Sequence, residues 1–211
     1  MQADAAPART PIAPDDDAGV RARLAESHVA IIGCGGLGSN AAALLVRSGI
    51  GSLTLVDFDT VEESNLNRQL FFRDQLGRPK TAALAETLLR IRPEVTLRLH
   101  QMCVAAGDLF ALVGDADVVI EAVDTAETKA MIANTLLRER PDLPLVSASG
   151  LAGFDTANTV VTERVAENFY LSGDHTSDVG DDLPLLASRV MVAAAHEAHA
   201  AIRILLGHPE P

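Results

Sequence analysis

A turn of the form Gly33-x-Gly35-x-x-Gly38 leaves this chain few folds to choose from. It follows a short apolar run, His28-Val-Ala-Ile-Ile32, and precedes a stretch from Ser39 to Ser48 with helical spacing that Gly49 stops. Ser52-Leu-Thr-Leu-Val56 reads as a second strand and ends at Asp57-Phe58-Asp59. Strand, Gly-rich turn, helix and strand in that order make a βαβ unit. Its turn, with Gly36 inside it, presents backbone N–H groups at a helix N-terminus, where anions are favoured. Packing alone also calls for glycines of this kind, but the flanking strand and helix favour the phosphate reading.

The alternation of strands and helices continues. Thr60 to Arg78 is polar and without a clear period, after which Pro79 opens a helix and Arg92-Pro93 closes it. Glu94 to His100 alternates like a strand, and Asp117 to Val123 is the most apolar strand candidate. Thr125 to Arg140 reads as a helix, Leu143 to Ser149 as a strand, and Asn158 to Glu163 as an edge strand. Arg164 to Asp182 is irregular and is expected to be a mobile loop, before a last helix from about Leu185 to Leu206. The expected fold is α/β, Rossmann-like and doubly wound, with a mainly parallel sheet and helices on both faces. Residues 1–20, rich in Ala, Pro and Asp, read as a disordered leader ahead of a single domain over 21–211.

Composition narrows the function. The 211 residues are 48% hydrophobic but include no Trp and one Tyr, so the core must be aliphatic. A formal charge of −12, from 17 basic and 29 acidic groups, argues against RNA or DNA as a partner of the surface as a whole. No cationic start precedes an apolar core at the N-terminus, and no apolar run approaches the roughly 18 residues of a membrane span. A cytoplasmic protein without membrane contact is expected.

Asp57 lies where a ribose-binding carboxylate stands in such folds, about 20 residues past the turn, although a strand-end turn also suits aspartate. Up to this point a nicotinamide enzyme and an ATP enzyme look alike. Val61 to Gln69 and Gly77-Arg-Pro-Lys80 separate them. Asn65, Arg68, Gln69 and Lys80 bring cations and amide donors beside the turn, which a triphosphate undergoing substitution needs and a dinucleotide bridge does not. Taken singly, Arg68 and Lys80 would each suit a surface ion pair. Asp124 ends the central apolar strand and points into the crevice. Beside phosphate oxygens its carboxylate requires a hard cation such as Mg²⁺, and capping the following helix is its other possible task.

Gly-Cys-Gly-Gly-Leu-Gly-Ser, Asp-Phe-Asp, Val-Glu-x-Ser-Asn-Leu-Asn-Arg-Gln, Pro-Lys-Thr and the Asp124 of Ala-Val-Asp-Thr together resemble the E1-like superfamily. Tyr170-Leu-Ser-Gly-Asp-His175, Leu186-Ala-Ser-Arg-Val190 and the Ala-rich helix ending at Gly207 are similar to the short ThiF-type adenylyltransferases of thiamine synthesis. The resemblance spans about Leu24 to Gly207. It implies adenylation, with ATP and Mg²⁺, of the C-terminal glycine of a ubiquitin-like, ThiS-like sulfur carrier ending in Gly-Gly, with release of pyrophosphate for thiazole synthesis. It also implies a homodimer. In this family reading Gly33, Gly35, Gly36, Gly38, Asp57, Asp59, Asn65, Arg68, Gln69 and Lys80 bind the nucleotide, Asp124 holds the metal, and Arg68, Lys80 and Asp124 act in catalysis. A non-catalytic or differently targeted E1-like binding partner and a nicotinamide oxidoreductase are the alternatives, and the acidic balance disfavours an RNA-modifying relative of the same superfamily.

The chain departs from the family in three places. Paired Cys-x-x-Cys zinc sites are missing, so no zinc is expected, and no cysteine follows Cys103 to serve as the mobile catalytic thiol. The usual N-terminal arginine lacks its setting, and Arg21 and Arg23 are the candidates to replace it. Cys34 and Cys103 read as core residues and His196 and His199 as a solvated helix face. His175 is a candidate for closing over substrate.

Overall fold

Val29, Ala30, Ile31 and Ile32 are all at most 1% exposed. A strand buried on both faces belongs at the centre of a covered sheet, and the computed structural model, which describes residues 9–177 and 183–211, places β1 (His28–Ile32) there. It pairs in parallel with β2 (Ser52–Val56) and β4 (Val118–Glu121). Outside these lie β3 (Thr96–His100) and β5 (Leu145–Ala148), also parallel, and then β7 (Phe169–Gly173) with the antiparallel β6 (Val161–Ala166) at the edge. The seven strands run β3-β2-β1-β4-β5-β7-β6, so the strand order reverses between β1 and β4. In open α/β sheets that switch point leaves a crevice beyond the strand ends.

Alternate residues of the central strands feed two cores. Val29 and Ile31 pack with α2 (Gly36–Ser48), α3 (Lys80–Ile91) and α6 (Ala187–Leu205) on one face. Ala30 and Ile32 pack with α4 (Leu109–Val113) and α5 (Ala126–Glu139) on the other. Each fully buried Ile or Leu contributes about 1.5–3 kcal/mol. Small residues let α6 lie close on α2: Ala193, Ala194 and Ala198 are buried opposite Ala41 and Ala42.

The Rossmann-like fold expected from the sequence is observed, with three local corrections. The leader does not extend to residue 20. α1 (Asp17–Glu26) is capped by Asp16, the Ile12 N–H donates to the Leu206 carbonyl at 2.9 Å, and Arg9 pairs with Asp117. The stretch expected as a mobile loop from Arg164 holds the end of β6 and all of β7, where Tyr170 is 1% exposed. Residues 174–177 follow β7 as a turn held by the Asp174 carboxylate, and 178–182 lie outside the described residues. The edge strand expected at Asn158 begins instead at Val161, because Ala157–Thr159 forms a 3-10 turn on the Thr156 cap. Among the described residues no helix is long and apolar enough to cross a membrane.

Candidate functional site

The Gly-rich turn is shaped by close approach. Gly33 has φ +98°, and a Cβ there would lie 2.5 Å from the Ala122 carbonyl oxygen. A Cβ on Gly38 would lie 1.8 Å from the Gly33 carbonyl oxygen, so this glycine lets α2 start directly against the turn. The α2 N-terminus then faces the crevice, with Gly35 as its cap. Asp57, one residue past β2, accepts from the Cys34 N–H at 2.6 Å and from the Asp59 N–H at 2.8 Å. One carboxylate thus sets the shape of both the turn and the strand end, and each oxygen keeps a second lone pair for a ligand hydroxyl.

The polar segment after β2 is folded back onto α2. Ser39 Oγ donates to the Gly35 carbonyl at 2.6 Å and accepts from the Leu70 N–H at 3.0 Å. Asn40 Nδ2 donates to the carbonyls of Gly36 and Arg68 at 2.7 and 3.0 Å. These two inward polar residues of α2 hold Arg68 and Gln69 beside the turn. Arg68 is half-buried and its Nη1 donates to Asn67 Oδ1 at 2.8 Å and to the Ser64 carbonyl at 3.2 Å. Gln69 is buried, and its Oε1 has no hydrogen-bond partner among the described residues. A buried polar atom left unpartnered at the wall of a crevice is what a bound polar ligand would satisfy.

Across the same opening, Lys80 at the start of α3 is 6% exposed, and its Nζ lies 2.8 Å from Asp59 Oδ2. The expected site residues Gly33, Gly35, Gly36, Asp57, Asp59, Arg68, Gln69, Lys80 and Asp124 all line a single crevice of about 680 Å³, a size that suits a small-molecule ligand. Gly38 and Asn65 do not line it. Gly38 serves the helix–turn packing just described. Asn65 is turned into its own 3-10 turn, where Oδ1 accepts from the Glu62 N–H at 3.0 Å, so it shapes the loop carrying Arg68.

Asp124 is exposed at the crevice mouth, with no hydrogen-bond or ion-pair partner among the described residues. The α5 cap is Thr125, not Asp124. A free carboxylate beside a phosphate crevice fits Mg²⁺, which takes one or two carboxylates and completes its shell with phosphate oxygens and water. No group of three His, Cys, Asp or Glu side chains among the described residues forms a ready-made metal cage.

Other expectations need revision. Cys34 is buried as expected, and burial first, then the Asp57 charge, pushes its thiol well up. Cys103 is not core: it is exposed and lines the crevice, because the chain leaves the sheet at His100 before reaching it. His196 is half-buried with Nδ1 3.0 Å from Thr162 Oγ1, and burial lowers its pKa, with His199 adding to this. His199 is exposed as expected. Neither candidate N-terminal arginine lines the crevice: Arg21 pairs with Asp17 of its own helix, and Arg23 Nη1 donates to the Leu205 carbonyl at 3.3 Å. His175 does line it, at φ +59°.

Sequence reasoning missed Lys129, which lines the crevice from the second turn of α5, and its buried partner Glu121 at the end of β4. A glutamate closing the most apolar strand of the chain was the available signal.

Residues 9–211 match the ThiF family. Over 194 residues the chain is 30% identical to the molybdopterin-synthase adenylyltransferase of Escherichia coli (strain K12), across 89% of this chain and 76% of that protein. Over 142 residues it is 34% identical to the sulfur carrier protein ThiS adenylyltransferase of Bacillus subtilis (strain 168), covering 66% of this chain and 42% of the relative. In fold it is similar, with a TM-score of 0.81, to the E. coli tRNA N6-threonylcarbamoyladenosine dehydratase, TcdA, crystallised with ATP. The two are 22% identical, and the match covers 90% of this chain and 89% of that one. With the family match running through both the Gly-rich turn and the crevice, the chain belongs to the ThiF family.

Proposed function

We propose that this chain adenylates the C-terminal carboxylate of a ubiquitin-like sulfur carrier ending in Gly-Gly, using ATP, and that the carrier is ThiS-like and serves thiazole synthesis in thiamine formation. The observation that carries the reading is the meeting of Arg68, Gln69, Lys80, Asp124 and the α2 N-terminus at one crevice. A carrier carboxylate oxygen attacks the α-phosphorus of ATP. The bond from that phosphorus to the bridging oxygen breaks, and pyrophosphate leaves with the electron pair. The nucleophile is already an anion, so no general base is needed.

What the residues contribute is position and charge. The turn N–H groups and Arg68 hold phosphate oxygens, Asp57 takes the ribose, and Lys80, oriented by Asp59, neutralises charge on the leaving side. Asp124 would hold Mg²⁺, which supplies neutralisation of the phosphate oxygens. A homodimer is part of the same reading. The exposed Leu44, Phe72 and Met191, which border a second groove of about 640 Å³, offer an apolar face for a second copy.

ATP–pyrophosphate exchange with Mg²⁺, with and without a carrier ending in Gly-Gly, tests the reading. Exchange that requires the carrier and disappears in Asp124→Ala supports it. No exchange with any such carrier overturns it in favour of a non-catalytic partner, and NADH fluorescence enhancement on mixing would point to a nicotinamide enzyme instead.

A further inference from the structure

Glu121 is the last residue of β4 and is 1% exposed, yet its carboxylate collects four contacts. Oε1 accepts from the Val123 N–H at 2.8 Å and lies 3.2 Å from Lys129 Nζ. Oε2 accepts from Ser147 Oγ at 2.5 Å, on the neighbouring strand β5, and from Lys129 Nζ at 3.0 Å. A buried carboxylate is costly unless it is paired and hydrogen-bonded in this way. A second carboxyl, Glu197 of α6, is fully buried, with neither oxygen partnered among the described residues. Burial holds its pKa well up, against the nearby Lys129 charge and with that of Glu121, and the Lys129 ammonium lies on Glu121 rather than on Glu197.

These contacts enclose a short piece of chain. The Val123 N–H fixes the exit from β4, and Lys129 ties the second turn of α5 back to the strand end. Between them stands Asp124, exposed at the crevice and without a partner of its own among the described residues. Its place is therefore set by the backbone on either side. An ammonium also has three donors, and Lys129 is 27% exposed on the crevice side.

We propose that the Glu121–Lys129 ion pair is a positioning device for Asp124, holding the 122–125 segment so that its free carboxylate meets the nucleotide and its cation. The inference rests on the adenylation reading for what Asp124 meets, and on the hydrogen bonds alone for what holds it. Neither residue of the pair is itself a catalytic residue.

The test is a double-mutant cycle between the pair and Asp124. Lys129→Met, Lys129→Arg, Asp124→Asn and Lys129→Met/Asp124→Asn are compared by calorimetry of ATP binding across Mg²⁺ concentrations and by carrier-dependent exchange. Lys129→Met should raise the Mg²⁺ needed for half-maximal ATP binding several-fold and lower exchange turnover about tenfold, with the KM for ATP changed less. Lys129→Arg should restore most of both, and Lys129→Met should add nothing once Asp124 is Asn.

Because Lys129→Met leaves a buried carboxylate unpaired, Glu121→Gln/Lys129→Met serves as the variant that keeps the fold. It should show the same Mg²⁺ shift. A folded variant of either kind with wild-type Mg²⁺ dependence, or effects that simply add to those of Asp124→Asn, overturns the proposal, as does a wild-type protein that binds no MgATP. Failure of the adenylation reading looks different: wild-type ATP binding depends on Mg²⁺, but no carrier supports exchange.

Discussion

Arg189 Nη2 lies 2.5 Å from Asp174 Oδ2, with both side chains at or below 6% exposure. The same guanidinium donates to the carbonyls of Asp155 and Thr156 at 2.8 and 3.0 Å and to Thr159 Oγ1 at 3.1 Å. One side chain at the start of α6 thus pins two turns beside the crevice. Burial by itself would raise the Asp174 carboxyl, but N–H donation from Ser177 and Thr176, the Ser177 hydroxyl and Arg189 hold it far below the usual carboxylate range. The pair therefore stabilises the fold above about pH 4, and that contribution is lost as pH falls further. Arg189→Ala should cost ~3–5 kcal/mol in urea denaturation at pH 7. Asp174→Asn should also destabilise at pH 7, and its stability should fall less steeply than the wild type's on acidification.

Glu197 has the opposite sign. Its folded pKa is raised, so the folded chain keeps a proton that the unfolded chain releases above about pH 4.3. Stability should then decline with rising pH by up to ~1.4 kcal/mol per pH unit until the folded carboxyl itself titrates. Glu197→Gln removes this dependence. Melting at pH 5 and pH 8 should show the variant gaining on the wild type at the higher pH, and parallel curves would contradict a neutral buried carboxyl.

Arg68→Ala and Lys80→Ala should each reduce carrier-dependent pyrophosphate exchange by about 10²–10³-fold, the usual effect of removing one transition-state charge donor. Neither should unfold the protein. Asp59, left behind in Lys80→Ala, is 44% exposed at its side chain and stays hydrated, so the stability change should remain within about 1 kcal/mol. Undiminished exchange in either variant would remove that residue from the mechanism.

Cys103 is exposed in the crevice and Cys34 is buried behind the turn. Iodoacetamide should therefore label one cysteine of the folded protein quickly and the other only after unfolding. MgATP should slow the labelling of Cys103. Peptide mapping by mass spectrometry reads both, and labelling indifferent to nucleotide would place the ligand elsewhere.

Gly38→Ala would bring a methyl group to 1.8 Å from the Gly33 carbonyl oxygen, which is backbone and cannot swing aside. A loss of at least ~1–3 kcal/mol is expected, together with weaker ATP binding, because the turn and α2 must separate. Chemical denaturation and nucleotide titration of the same variant check both parts.

Much of the fold is legible in the sequence because its signals are local. β1 and β2 are apolar runs flanked by glycine or aspartate, and α3 is bracketed by Pro79 and Pro93, so their bounds can be read within a residue or two. α1 is hidden because only Leu24 of its ten residues is buried, leaving no apolar stripe to see. β6 is exposed at nearly every position and paired on one side only, so it has none of the alternation that marks a half-buried strand. The glycine turn, Arg68, Lys80 and Asp124 stand out through charge and spacing. Lys129 does not, because its meaning depends on Glu121, eight residues earlier and on another element. Asn65 shows a related limit of spacing: an amide near phosphate-binding residues also serves the backbone of its own turn.

The contact between residues 12 and 206 also bears on the order in which a ribosome can complete the molecule. The Ile12 carbonyl is met by His208 Nε2 at 2.7 Å, and its N–H by Leu206. At ~5–20 residues per second the first of these groups waits about ten to forty seconds for its partner to be synthesised. Until then the N-terminal segment has nothing to dock on, and the inner face of α2 that α6 will cover stands open. A nascent chain stalled before residue 187 should therefore be a better client for a chaperone than one extended past residue 208.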